Sequence, residues 1–274
     1  MRYREFQPQP SLAPFIECFW TLESESKLSE SEPDSILPDG CVELILNFSA
    51  PFRELKEGGK TEQQPAHFVV GQMTHPVSIA PTGAVKLLGV RFHPGGTIPF
   101  FRIPMHELTN QIVELNSIDA RLAAKMVFAA SSSTTPTLQI AAIEACLAER
   151  TGSCASYSEI TDLAANAVRL GGRITVDQLS ESAGMSGRQL ERRFLREIGI
   201  GPKLFCRILR FQQVFRAVEN EAMGWAAIAA ECGYYDQAHL IRDFQQFAHQ
   251  TPAVFLTQSG QLTGAFTRKH RGSQ

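Results

Sequence analysis

Several signals are scarce in this sequence. Its six cysteines, Cys18, Cys41, Cys146, Cys154, Cys206 and Cys232, form no C-x-x-C pair and gather with no compact set of histidines. That spacing argues against a zinc ribbon or a disulfide framework, so the thiols are expected to be reduced packing residues. His67, His75 and His93 lie among apolar segments, but no H-x-H with a downstream glutamate accompanies them. Neither a metal nor a cofactor is therefore expected. No stretch approaches the roughly 20 apolar residues needed to cross a bilayer. The opening MRYREFQPQP lacks the apolar run of a signal peptide. A cytoplasmic protein without a membrane partner is the expectation.

What is present is unevenly distributed. The 274 residues carry a net charge of only −2, which by itself points to no polyanionic partner. Residues 1–155 hold 12 Lys and Arg against 17 Asp and Glu, whereas residues 156–274 hold 14 against 11. Within 184–216 there are eight basic residues and two acidic ones. A basic segment inside a slightly acidic chain is a localised electrostatic footprint of the kind used on nucleic acid, or else a solvated helix face.

The length suggests two domains. Up to residue 118, short apolar runs such as Val42–Leu46, His67–Gly71 and Val85–Phe92 alternate with Pro38-Asp39-Gly40, Lys56-Glu57-Gly58-Gly59 and Pro94-Gly95-Gly96. Short strands punctuated this way predict a β-rich sandwich or barrel, cupin-like in outline. Residues 119–130 and 136–150 read as helices, a helical connector over 119–155, with a domain boundary in the small polar run Thr151–Ser156. From Glu159 to Phe255 the pattern is helical almost throughout, and a disordered tail is expected from 259. The expected class is α+β in two domains, the second all-α.

In that second part, Val176, Leu179 and Ala183 recur at helical spacing behind Thr175, Gly184-Met185 breaks the helix, and Ser186 can cap another. A short helix, a glycine turn and a second helix make a helix-turn-helix, expected over 175–198. The second helix buries Leu190, Phe194, Leu195 and Ile198 and spaces Arg188, Arg192 and Arg196 four residues apart, with Gln189 and Arg193 beside them. Arginine pairs bidentately with guanine edges, and an α-helix fits the B-DNA major groove. Gly199 supplies the stop. The pattern returns over 224–248: Trp225, Ile228, Ala229 and Cys232 on one face, Gly233 at the turn, Asp236 as cap, then Leu240, Ile241, Phe244 and Phe247 inward with Gln237, His239, Arg242 and Gln246 outward. Gly184 and Gly233 are 49 residues apart, yet Leu190 and Leu240 match only with one residue of slack. A helix from Pro202 to about Val218 joins the units; at 1.5 Å per residue it is roughly 25 Å long, of the order needed to seat two helices in grooves about 34 Å apart.

Leu190-Glu191-Arg192-Arg193-Phe194, Gly199-Ile200-Gly201-Pro202, Phe205, Arg210, Ile228-Ala229, Cys232-Gly233-Tyr234, Asp236–Leu240, Phe244 and Thr251-Pro252 together resemble the AraC/XylS family of bacterial transcription regulators over about residues 156–256. The resemblance implies seven helices, of which the third and sixth read DNA. It puts base contacts on Arg188, Glu191 and Arg192 in the first unit and on Ala238, His239 and Arg242 in the second. Ser186, Gln189, Arg193, Arg196, Lys203, Arg207 and Gln237 are expected to flank them or touch phosphates, whereas Arg210 is expected to pack or pair within the domain. Two departures stand out: His249 replaces the glycine that usually ends the last reader helix, and Phe255-Leu256 replaces the usual Tyr-Arg. Both lead to the expectation that the second unit grips less firmly.

The Pro38-Asp39-Gly40-Cys41 and Arg91–Gly96 segments resemble the β-rich, sensor-type front of some regulators in this family. Glu43, Arg91 and His93 either line a small-molecule pocket there or point outward at alternate strand positions. The implied partners are double-stranded promoter DNA, a small-molecule effector, RNA polymerase and a second copy of the chain. No enzymatic activity is expected. Two alternatives stay open: a cysteine alkyl-transfer enzyme fused to a DNA-binding module, which the non-basic surroundings of Cys18 and Cys41 disfavour, and an N-terminal domain that serves protein contacts alone.

Overall fold

The computed structural model describes residues 1–24, 33–133, 135–151, 158–218 and 223–258. The expected boundary after Thr151 and the tail from 259 fall mainly or wholly outside these residues. Among the described residues, ten strands occupy the N-terminal part: β1 (Arg2–Phe6), β2 (Ile16–Ser24), β3 (Asp34–Ile36), β4 (Val42–Asn47), β5 (Phe52–Leu55), β6 (Thr61–Gln63), β7 (His67–Val70), β8 (Val77–Pro81), β9 (Val85–Phe92) and β10 (Ile112–Glu114). They form two antiparallel sheets, one ordered β1-β2-β9-β4-β7-β10 and the other β3-β8-β5-β6.

Period-two alternation decides what each face of the large sheet covers. Val42, Leu44 and Leu46 on β4 and Leu88, Val90 and Phe92 on β9 face one core, while Ile45 and Leu87 face the other. The first core is closed by two helices, α1 (Leu115–Ser131) and α2 (Pro136–Thr151), through Leu122, Met126, Ile140 and Ile143. The helices expected as a connector are therefore part of the N-terminal core. Helix α1 is kinked at Asp119, which has the non-helical φ of −154° and whose carboxylate accepts the Leu122 N–H at 2.8 Å as an N-cap would, so the main helical run starts at the expected 119 and a short turn from Leu115 precedes it. The second core lies between the sheets around Trp20, Phe52 and Phe68. Gly89, within β9, leaves room for the Trp20 indole; a Cβ there would lie 1.9 Å from the ring.

The C-terminal part comprises α3 (Glu159–Arg169), α4 (Val176–Ser182), α5 (Gly187–Glu197), α6 (Pro202–Ala217), α7 (Trp225–Glu231), α8 (Gln237–Ala248) and α9 (Pro252–Gln258), seven helices among the described residues. Helix α6 is the spine. Phe205, Ile208, Phe211 and Val214 are all buried, and the Phe211 ring meets Phe244 and Phe247 at 5.1 and 5.3 Å. Aromatic contacts at these separations add to simple area burial, so the two halves share one core.

Candidate functional site

The first unit is built by its caps. Thr175 accepts the Gln178 N–H and Ser186 accepts the Gln189 N–H, each in a reciprocal capping box that satisfies two otherwise orphaned donors. The turn between them closes through Gly184 at φ +58°, with Met185 N–H donating to Ser180 O at 3.0 Å. In the second unit Asp236 accepts the His239 N–H at 2.6 Å, and Gly233 at φ +76° makes the equivalent turn, with Tyr234 N–H donating to Ala229 O at 2.9 Å. The 49-residue offset holds through Met185 and Tyr234. It becomes 50 at the caps because Tyr235 is one added turn residue. That side chain is 93% exposed at the mouth of α8. Sequence reasoning registered the slack but not the aromatic that causes it.

The positions expected to read DNA divide by what holds them. Arg188, Arg192 and Arg196 are exposed along α5, and among the described residues none of them forms an ion pair. Arg242 on α8 is likewise exposed and outside the ion pairs of the described residues. Lys203, Gln237 and Ala238 are exposed too, whereas His239 is half-buried with its ring edge-on to Tyr234 at 5.1 Å. Ser186 and Gln189 are taken up with each other in the cap. Glu191 lies against the start of α6, where a Cβ on Gly201 would fall 2.2 Å from its carboxylate. There it complements the positive end of the helix.

Two cations expected near phosphates are engaged inside the domain. Arg193 pairs with Glu159 at 3.0 Å and Glu197 at 3.2 Å, tying α5 to α3. Arg207 donates to Asp243 at 2.7 Å and to Gln246 at 2.6 Å, with its guanidinium over the Phe247 ring. Asp243 is 2% exposed, and a buried carboxylate requires such a partner. Arg210 donates to Gly172 O at 2.9 Å and lies over Tyr234, a packing role.

Helix α8 ends at His249, which adopts the left-handed conformation at φ 56° without being glycine. Glycine enters that region with little strain and histidine does not.

Between the two sheets lies a cavity of about 70 Å³, in a measure where one water needs roughly 10–15 Å³. Its walls are mostly apolar, including Leu22, Ile45, Phe52 and Phe68, with Glu43, Asn47 and Gln64 as polar groups. Of the three residues expected in a pocket, only Glu43 lines it, and the Glu43 carboxylate accepts the Trp20 indole N–H at 3.2 Å. Arg91 is 2% exposed and lies against Asp39, with Glu17 and Glu43 each at 3.7 Å. It neutralises this cluster and does not line the cavity. His93 also stands away from the lining: its N–H donates to Phe15 O at 2.9 Å and its carbonyl accepts from Gly96 at 2.7 Å, shaping the turn after β9.

The buried thiols offer little nucleophilic character. Burial pushes Cys206 and Cys232 up to about 11 and raises Cys146 as well, away from the thiolate form that reactive cysteines need. Among the described residues no helix is long and apolar enough to cross a membrane.

Residues 4–114 match a family described as a domain of unknown function (DUF6597), and residues 179–258 match one described as a helix-turn-helix domain. Over 86 residues the chain is 26% identical to the HTH-type transcriptional regulator MtrA of Neisseria gonorrhoeae, covering 31% of this chain and 29% of that protein. Over 80 residues it is 30% identical to an uncharacterized HTH-type transcriptional regulator of Haemophilus influenzae, covering 29% of this chain and 27% of the relative. The chain thus matches less than a third of the length of these curated relatives. Among solved structures, ToxT from Vibrio cholerae aligns over 87% of this chain and 98% of its own at 9% identity, with a TM-score of 0.48. Over residues 179–258 the chain is thus similar to helix-turn-helix domains of HTH-type transcriptional regulators, and a separately matched domain of unknown function lies in front of it.

Proposed function

We propose that this protein is a sequence-specific, cytoplasmic DNA-binding transcription regulator whose N-terminal domain responds to a small, largely apolar effector. The observation that carries the first half is the pair of capped helices, α5 and α8, presenting unpaired guanidiniums from a shared core. In this reading Arg188 and Arg192 read bases in one major groove, and Ala238, His239 and Arg242 read the next. Arg196, Lys203 and Gln237 contact phosphates, with Tyr235 beside them. Glu191, Arg193 and Arg207 hold the scaffold that presents these groups. The domain ranges adopted are 1–118 for sensing, 119–155 for the helical pair and 156–258 for DNA.

The effector half rests on the inter-sheet cavity, apolar apart from Glu43, Asn47 and Gln64, which suits a ligand with an apolar body and one hydrogen-bonding end. A second role for the N-terminal part is favoured by Phe128 and Leu138, 76% and 55% exposed on α1 and α2, which suit contact with a second copy of the chain or with RNA polymerase.

Genome-wide mapping of bound fragments, followed by gel-shift titration on the enriched sequence across a salt series, tests the DNA reading. Several phosphate contacts make log affinity fall steeply with log salt. A flat response, or no enriched sequence, overturns it. Sedimentation of the full chain and of Phe128→Ser tests self-association.

A further inference from the structure

Three chain segments of the N-terminal part are cavity wall at one end and contact with the DNA-binding part at the other. In the first, Ile36 lines the cavity, while the next residue, Leu37, is buried in the core of the helix-turn-helix domain. Beyond it, Pro38 O accepts a hydrogen bond from Gln212 on α6, and Gly40 passes so close to α6 that a Cβ would lie 3.2 Å from the Phe205 ring. Gly40 is also at φ +83°, a conformation that glycine adopts most readily.

In the second segment, Val70 and Met73 line the cavity and Gln72 stands between them. Gln72 is 1% exposed, donates to Gly40 O at 2.7 Å, and packs beside Gly199 at the end of α5. The third segment has Ile112 in the cavity wall and Thr109, whose hydroxyl donates to Gly199 O at 2.6 Å. Asn110 fastens the third segment to the second by accepting the Thr74 N–H at 2.8 Å. The Arg91 cluster adds a parallel link, since Arg91 lies against both Glu43 in the cavity wall and Asp39 in the first segment.

We infer that these segments form a coupling device directed at the first helix-turn-helix unit. Filling the cavity displaces Ile36, Val70 and Ile112, and the displacement reaches Gly199 and the α6 residues Phe205 and Gln212. These sites flank α5 at its C-terminal end. Among the described residues, the hydrogen bonds and close glycine approaches between the two parts fall on α3, α6 and the end of α5: Gly95, for example, approaches Thr161 and Ile198. Cavity occupancy therefore shifts the presentation of α5 relative to the N-terminal domain and leaves α8 as it is. Packed interfaces convey small shifts because they are close-packed and resist continuous deformation.

The biological use of this device rests on the effector reading above, but the mechanical link can be measured without DNA. Hydrogen–deuterium exchange on the full chain compares the wild type with Ile79→Phe and Val70→Phe, which fill the cavity from opposite sheets. Leu122→Val, a substitution in the other N-terminal core, is the control. The expected result is a change of about two- to thirtyfold in the exchange of amides 199–209 in both filled variants, with 237–248 unchanged and the control like wild type. If circular dichroism shows a filled variant to be unfolded, Val70→Ile and Val77→Ile carry the same comparison.

Wild-type exchange at 199–209 in both filled variants overturns the coupling. An equal change at 237–248 overturns its direction towards the first unit, and so does a control that moves as the filled variants do. The same proteins are then titrated with duplex DNA. Failure of the wild type to bind would remove the regulator reading while leaving the exchange result in place.

Discussion

The first helix-turn-helix unit presents three arginines on α5 that form no ion pair among the described residues, ends that helix on a glycine, and abuts the N-terminal domain at its exit. The second presents one, Arg242, ends on a left-handed histidine, and is anchored to the spine by an ion pair to the buried Asp243 and by edge-on aromatic rings. The backbone plan is nearly the same in both, down to the turn hydrogen bonds. A duplicated scaffold therefore fixes where a helix can enter a groove, and the side chains around it fix how strongly it holds and what can move it. The first unit is rich in cations and linked to the N-terminal domain. The second is poorer in cations and fastened from within.

The comparison can be broken most severely at the anchor of the second unit. Arg207→Ala leaves Asp243 buried without its cation and is expected to cost about 3 kcal/mol of stability, seen as a lower midpoint in urea unfolding. An unchanged midpoint would show that the pair does not hold α8 to α6. The next largest effect concerns DNA affinity. Arg192→Ala is expected to weaken specific binding about five- to 150-fold by removing about 1–3 kcal/mol of base discrimination, whereas Arg242→Ala weakens it less; gel-shift titrations in the reverse order defeat the asymmetry.

Capping sharpens the comparison further. Ser186→Ala and Asp236→Ala should each cost about 1 kcal/mol, with thermal unfolding as the measure, because both caps accept an N–H at the same helix position. A cost confined to one of them would mean that the units do not share their local design. The smallest expected effect is a gain: His249→Gly relieves the left-handed strain and should stabilise by about 0.5 kcal/mol, net of the entropy glycine loses on folding. A loss would show that the His249 side chain makes up for its backbone.

The C-terminal part was legible because its determinants are local. Thr175, Ser186 and Asp236 act within three residues of themselves, and Gly184 and Gly233 act on their own turns. Apolar spacing marked Leu190, Phe194, Leu195, Ile198, Leu240 and Phe244 as inward, and all of them are buried except Leu195, which is exposed. The roles of Arg193 and Arg207 were not legible, because an exposed-looking cation on a helix gives no sign of the acid that waits on another helix. In the N-terminal part, alternation marked strands with two faces but could not say that one face of β4 meets helices and the other meets a second sheet. For the same reason Glu43 and Arg91 share one face of paired strands, yet one borders the cavity and the other lies buried among carboxylates.

The sequence by itself determined two capped helix-turn-helix units, a rigid helix between them, an uneven share of arginines and a β-rich region in front, since each follows from periodicity, caps and charge within a few residues. Only the tertiary structure decided that Pro38-Asp39-Gly40 and His93–Gly96 turn their backs on solvent and face the helices of the C-terminal part. A glycine at a turn and a glycine under a neighbouring helix look the same in one dimension, and packing alone tells them apart.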